Sequence, residues 1–428
     1  MKSRRRVNSA VRLLSSREDM KPAKYISILL SVLAICDFTT GQSVRETQAL
    51  DDGRQWLDSQ ALPAPTAPIL VRAAAASARN QASVSESLLL SIVQSQPASD
   101  SARRAHELLS RIYLRSGRYR RLIANLDQWA RAFPDDPHLL SEKADVEQFR
   151  GLPDQINGPR KLSKLRHGAL NDFSAPVLIN GQSATYLLDT GAWLSVMTAA
   201  EAKRLGMIIR EGTGVLSESS GKGVTIRTAV ADQVVIGSNT FRDVSFAILP
   251  DVEPWRSMPP GRGGIIGIPI LLHLVCICWI KGGTWELGCN VTKNGSDTAN
   301  LVFYGNRLLV ASMIANRQVF MTLDTGAETT DLNANFAQQF AKEIQHIGTR
   351  NMTRVSGVGG NANIESITLP KLDFRIGGTP VTLRPAHVTM QDNPALGGRC
   401  CIGNIGLDLL LPTGRVTIDF SRMTLRLR

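Results

Sequence analysis

The chain has 428 residues, 43% of them hydrophobic and 20% charged, with a net charge of +12. That length predicts two or three domains with full cores, and the composition excludes a disordered or collagen-like chain. The first 24 residues carry eight Lys/Arg against two Asp/Glu. The rest is mildly basic and lacks interleaved aromatic and basic residues, so nucleic acid is not an expected partner.

Behind the basic tail runs an apolar stretch, Ile26–Cys36. It is short for a bilayer span, which needs about 20 residues, and suits the core of a signal peptide. Thr39-Thr40-Gly41 offers small residues for cleavage, and Met20 is an alternative start. Residues 1–41 therefore read as a signal peptide or N-terminal anchor. The expected localisation is periplasmic, secreted or membrane-anchored. Residues 42–82, rich in Ala, Ser and Pro, read as a linker.

Residues 83–150 read as a small helical domain. Leu109, Tyr113, Gly117, Tyr119 and Pro134 match the spacing of a tetratricopeptide-type hairpin, so the segment resembles that repeat, with an ordinary helical hairpin as the alternative. Such a unit offers a surface for a protein partner. Residues 151–170, with Gly151, Pro153, Gly158 and Pro159, read as a second linker.

The remainder repeats itself. Asp-Thr-Gly-Ala occurs at Asp189–Ala192 and again at Asp324–Ala327. Chance would produce two copies in roughly one chain in ten thousand, so a common plan is the better explanation, and the flanking segments support it. Each copy ends a strand–turn–strand unit, with turns at Asn180-Gly181 and Ala315-Asn316. Each is followed by a helix-like stretch (198–205 and 333–341), a glycine-rich segment and an apolar-Gly element, Ile265-Ile266-Gly267 or Asn404-Ile405-Gly406. Each half closes on a hairpin, 275–287 and 416–427. Two lobes follow, 171–290 and 300–428, and the short join between them predicts pairing within one chain, as a monomer. The run 265–280 is apolar enough to suggest a membrane span. Pro269, His273 and its polar counterpart 405–420 make a buried helix and strand the better reading.

On these motifs the chain resembles the retropepsin-like aspartic peptidases over roughly residues 171–428. The resemblance implies a mainly β fold: two retropepsin-like β-barrel lobes preceded by the helical domain, with Asp-Thr-Gly loops meeting across a pseudo-twofold axis. It implies Asp189 and Asp324 as a catalytic dyad sharing one proton, and a peptide or protein substrate. Thr190 and Thr325 would tie the loops together across the lobe interface. Gly191 and Gly326 would permit close backbone approach, and Ala192 and Ala327 would complete the loops without a hydroxyl to offer the carboxylates. Gly221 and Gly223 in the first lobe, and Gly357, Gly359 and Gly360 in the second, are flap candidates. Trp193 and Glu328, directly after the motifs, are substrate-subsite candidates; Trp193 has an equal claim as a core residue. Three positions depart from the family pattern: Asn404 stands where an apolar residue is usual, Pro269 where a polar one is common, and neither glycine-rich segment has a Tyr.

The other reading is a non-catalytic peptide-binding or scaffold protein that keeps the paired lobes as a groove. A binder gains nothing from two repelling carboxylates, and their retention favours the enzyme. No metal and no cofactor are expected, because the six Cys and six His form no ligand spacing. A turn at Gly282-Gly283 sets Cys276 opposite Cys289. Two free buried thiols are the favoured reading there, with a cross-strand disulfide as the alternative.

Overall fold

The structure is a computed structural model that describes residues 63–166, 172–212, 215–217, 223–225, 227–249, 255–289, 298–345, 347–357, 360–390 and 400–428. The N-terminal apolar run lies outside the described residues, as do Gly221 and Gly359.

Five helices come first: α1 (Ile69–Ala78), α2 (Ala82–Ser95), α3 (Asp100–Arg115), α4 (Tyr119–Ala132) and α5 (Pro137–Val146). Helix α1 falls inside the stretch read as a linker. Its sequence, Ile-Leu-Val-Arg-Ala-Ala-Ala-Ala-Ser-Ala, lacks an obvious stripe, but alanine has the highest helix propensity. Ala73, Ala75 and Ala76 are buried, so the small residues let α1 pack closely. Helix α3 is capped by Ser99, whose hydroxyl accepts from the Ala102 N–H, and α5 by Asp136 with Pro137 in its first turn. Gly117, at φ +66°, turns the chain between α3 and α4.

The segment 151–170 is also no free linker. Its strands Ile156–Asn157 and Ser163–Arg166 pair with strands of the first lobe, Asn239–Leu249 and Thr284–Leu287. Backbone pairing needs no side-chain pattern, so the polar sequence concealed it.

The first lobe is a sheet that closes on itself. Strands 239–249, 195–198, 264–266, 182–188, 174–179 and 227–236 neighbour one another in that order, and 227–236 pairs back onto 239–249. The second lobe is a ten-stranded sheet among the described residues. It repeats the key step: Arg317–Leu323 runs parallel to Gly403–Ile405, as Gln182–Leu188 runs parallel to Gly264–Ile266. The hairpin turns correspond too. Asn180 and Gly181 have positive φ, and so do Ala315 and Asn316, where the conformation is less comfortable for want of a glycine.

The closing hairpins join the lobes. Cys276–Ile280 pairs antiparallel with Arg415–Asp419, making one five-stranded sheet from both halves of the chain. Trp279 and Trp285 are fully buried beside Phe173, and their indole N–H groups donate to the carbonyls of Asp172 and Ser174. The run 265–280 is a short buried helix, Ile268–Leu274, and a buried strand. Among the described residues no helix is long and apolar enough to cross a membrane.

Cys276 and Cys289 are bridged, which corrects the favoured expectation of free thiols. The register differs as well: Ile277 pairs Leu287, so Gly288 follows across from Cys276 and donates to its carbonyl at 2.8 Å. Gly288, at φ +67°, then swings Cys289 back to a Cα–Cα distance of 5.4 Å. Cross-linking a loop of this span restricts the unfolded chain by about 3 kcal/mol. Reduction is expected to lower the unfolding free energy by about 2–3 kcal/mol, and peptide mapping without reductant should recover the linked pair. Two free thiols in that map would remove the bridge. Cys400 and Cys401 are also bridged, and Cys278 is the free cysteine, buried, among the described residues.

The helical unit is braced against both lobes. Arg115 is buried, donates to the carbonyl of Gly305 and the hydroxyl of Ser77, and lies 4.3 Å from the centre of the Phe303 ring. Asn80 donates to the carbonyl of Phe420, and Gln155 to that of Pro269. Pro269 thus sits against the helical unit, where its second-lobe counterpart Asp408 instead accepts from Thr330.

Candidate active site

Each Asp-Thr-Gly loop is built the same way. Strand Gln182–Leu188 delivers Asp189, whose N–H donates to the carbonyl of Ile266; strand Arg317–Leu323 delivers Asp324, whose N–H donates to Ile405. After the turn, Ala192 accepts from the Ile268 N–H and Ala327 from the Leu407 N–H. The Gly267 N–H donates to the Ser195 hydroxyl, and the Gly406 N–H to that of Thr330. The apolar-Gly elements are therefore the floor that holds the loops.

The loops are crossed by their threonines. The Thr190 hydroxyl donates to the carbonyl of Leu323 at 2.7 Å and accepts from the Thr325 N–H at 3.1 Å. Reciprocally, the Thr325 hydroxyl donates to Leu188 at 2.7 Å and accepts from the Thr190 N–H at 3.0 Å. All four bonds are buried and link the two lobes. Four neutral hydrogen bonds of this kind contribute about 1 kcal/mol each, and their reciprocity sets the loop-to-loop distance.

That crossing sets each carboxyl against the other loop, Asp324 beside Gly191 and Asp189 beside Gly326. Both are nearly inaccessible, at 3% and 2% exposure. Each carboxylate accepts one loop N–H, Gly191 to Asp189 at 2.7 Å and Gly326 to Asp324 at 2.9 Å. A side chain on either glycine would strike the opposite carboxyl: a Cβ on Gly191 would lie 2.6 Å from Asp324 Cγ, and one on Gly326 would meet Asp189 as closely. Both glycines are required by crowding rather than by φ. Burial, then the charge of Asp324, pushes Asp189 well above the usual carboxylate range. Burial raises Asp324 to about 6, held back by the bonds it accepts from Asp189, Asn404 and the loop backbone.

Of the other expected residues, Gly223 opens strand Gly223–Thr225, which pairs with Val215–Ser217. Gly357 and Gly360 face one another at the end of the hairpin 349–369. Glu328 is exposed beside its loop. Trp193 is not a subsite wall. It is 5% exposed and sits edge-on to Phe149, with ring centroids 5.7 Å apart, in the core of the helical unit. The residue after the loop is turned outward, toward the helices.

Two residues of the second lobe went unassigned from sequence. Asn404, noted only as a departure, donates to Asp324. Asp331 keeps partial contact with water, yet burial and the charges of Asp408 and Asp324 raise its carboxyl to about 7. The signal for Asn404 was available, since its counterpart is apolar Ile265. For Asp331 none was. A group raised on folding stabilises the fold below its unfolded value near 4 and loses that contribution as pH rises through its folded value. Asp331→Asn is therefore expected to raise unfolding free energy at pH 8 by about 1–2 kcal/mol, discounted for its water contact, and to change nothing at pH 4. Urea titrations at the two pH values measure it; an equal effect at both would refute the linkage.

The first lobe is matched at family level. Residues 175–270 match the aspartyl protease family model. With the closed sheet and the crossed loops, the chain is mainly β, in two lobes built on one plan, with helices ahead of them. A solved structure of a retropepsin-like aspartic protease from Rickettsia conorii is similar at 15% identity. That similarity covers 31% of this chain and 95% of that chain, with a TM-score of 0.22. No curated protein matches the chain. Among the described residues, no group of three or more His, Cys, Asp and Glu is arranged to hold a metal ion.

Proposed function

We propose that this chain is an aspartic endopeptidase in which Asp189 and Asp324 activate one water between them. The observation that carries the reading is the contact of two buried carboxyls held by reciprocal threonine bonds. Two such groups cannot both ionise cheaply, so they share a proton. The ionised member takes a proton from water as its oxygen bonds the peptide carbonyl carbon. The protonated member gives its proton to the carbonyl oxygen. Collapse of the resulting gem-diol breaks the C–N bond: the proton taken from water goes to the leaving nitrogen, and a diol hydroxyl proton returns to the carboxylate that gave its own. The substrate is a peptide or protein lying between the lobes. The hairpins ending at Gly223 and at Gly357 and Gly360 serve as flaps, and Glu328 lines a subsite.

Digestion of a peptide library, read by mass spectrometry, tests this. Cleavage by the native protein and none by Asp324→Asn is the expected result. Cleavage that survives the substitution would overturn the reading. The pH profile follows from the shifts above. The working state is singly protonated, so kcat/KM is expected to fall as pH drops through about 6 and to hold well above the usual carboxylate range on the other side. The pair titrates as a unit. Ala192 and Ala327 act in the same direction, having no hydroxyl to donate to the charged form. A profile peaking near pH ~2 would show that other donors replace them.

A further inference from the structure

The pseudo-twofold symmetry of the site is broken at one pair of positions. Ile265 and Asn404 occupy the same place in the two apolar-Gly elements: Ile265 pairs Leu187, two residues before Asp189, and Asn404 pairs Thr322, two before Asp324. Ile265 is fully buried and has no donor. Asn404 is 5% exposed, and its Nδ2 donates to Asp324 Oδ2 at 3.2 Å. Its Oδ1 is buried with no hydrogen-bond partner among the described residues. A half-satisfied buried amide costs stability, so its place beside one dyad member alone calls for a functional account.

We propose that Asn404 is a positioning residue that decides which dyad member carries the charge: its amide holds Asp324 as the carboxylate, leaving Asp189 as the proton-bearing partner. The role rests on the peptidase reading above and deepens it. Asp324 then takes the proton from water, and Asp189 donates to the substrate carbonyl. The titratable groups acting on the site are Asp189 across the lobe interface, Asp331 on the strand paired with that of Asn404, and Asp408 beyond it. Protonated Asp189 donates to Asp324 and favours its charge, as the amide does, whereas Asp331 and Asp408 are acids that oppose it.

The test compares the native protein with Asn404→Ile, which copies the first lobe, and Asn404→Ser, which is too short to reach. Two readouts are used: the pH dependence of kcat/KM on one peptide, and carboxyl carbon-13 titration of aspartate-labelled protein, assigned with Asp189→Asn and Asp324→Asn. The native protein is expected to ionise Asp324 before Asp189. Both Asn404 variants should move the acidic limb and the Asp324 titration up by roughly one unit. An unmoved limb would overturn the assignment. A downward move would also overturn it, because the amide would then be accepting from a protonated Asp324. The magnetic resonance titration reads the order of ionisation without activity. Absence of Asp189-dependent cleavage would thus sink the peptidase reading while still deciding the role of Asn404.

Discussion

Replacing either Asp189 or Asp324 by asparagine is expected to lower kcat/KM by at least about a thousandfold, and replacing both to lower it little further. On the proposed mechanism, the reason is the shared proton. One carboxyl without its partner can neither take a proton from water nor donate one to the carbonyl at the right moment, so the two losses are one loss. The same variants should be more stable than the native protein at neutral pH. Both carboxyls are raised on folding. The stability they contribute is present below about pH 4 and is lost as pH rises through their folded values. An asparagine has no charge to bury and escapes that cost. The expected pattern, inactive yet with a higher melting temperature at pH 7 and no gain at pH 4, separates lost chemistry from lost folding. A single variant that keeps most of its turnover would end the shared-dyad account.

Trp193→Ala is expected to destabilise the protein by about 3–5 kcal/mol, the range for removing a large buried aromatic side chain. Trp193 and Leu194 follow the Asp189 loop directly and are buried in the core of the helical unit, Trp193 against Phe149. The side chain therefore ties the Asp189 loop to the helices. Its loss should also lower kcat more than it raises KM, since the loop loses its outward anchor while the groove is untouched. Urea unfolding with kinetics on one peptide measures both effects. A stability change below about 1 kcal/mol with unchanged kcat would mean that the ring does not carry the contact.

The same residue shows where sequence stops being informative. Trp193 follows its motif as Glu328 follows the other, and the family resemblance made both subsite candidates, with an equal claim for Trp193 as core. The helical unit packs over the residue after the first loop and not over its second-lobe counterpart, so one position faces a packed interface and the other faces water. Pro269 and Asp408 divide the same way. Nothing local in the sequence marks which lobe is covered, because the partner surface lies more than a hundred residues away in places.

What the sequence determined by itself was the repeated plan. The duplicated Asp-Thr-Gly-Ala, the turns before it and the apolar-Gly elements after it are local patterns, and each is read from neighbours in the chain. Loops that end a strand, and glycines that must lie against a carboxyl, follow from such patterns. Three things were decided only by tertiary structure: the bracing of the second lobe by Arg115 and Asn80, the one-residue register shift that brings Cys289 to Cys276, and the amide of Asn404 on Asp324. Each depends on where distant backbones come to rest. A pattern of residue types encodes which face is buried, but not which partner buries it, and that partner is selected by the packing of the whole chain.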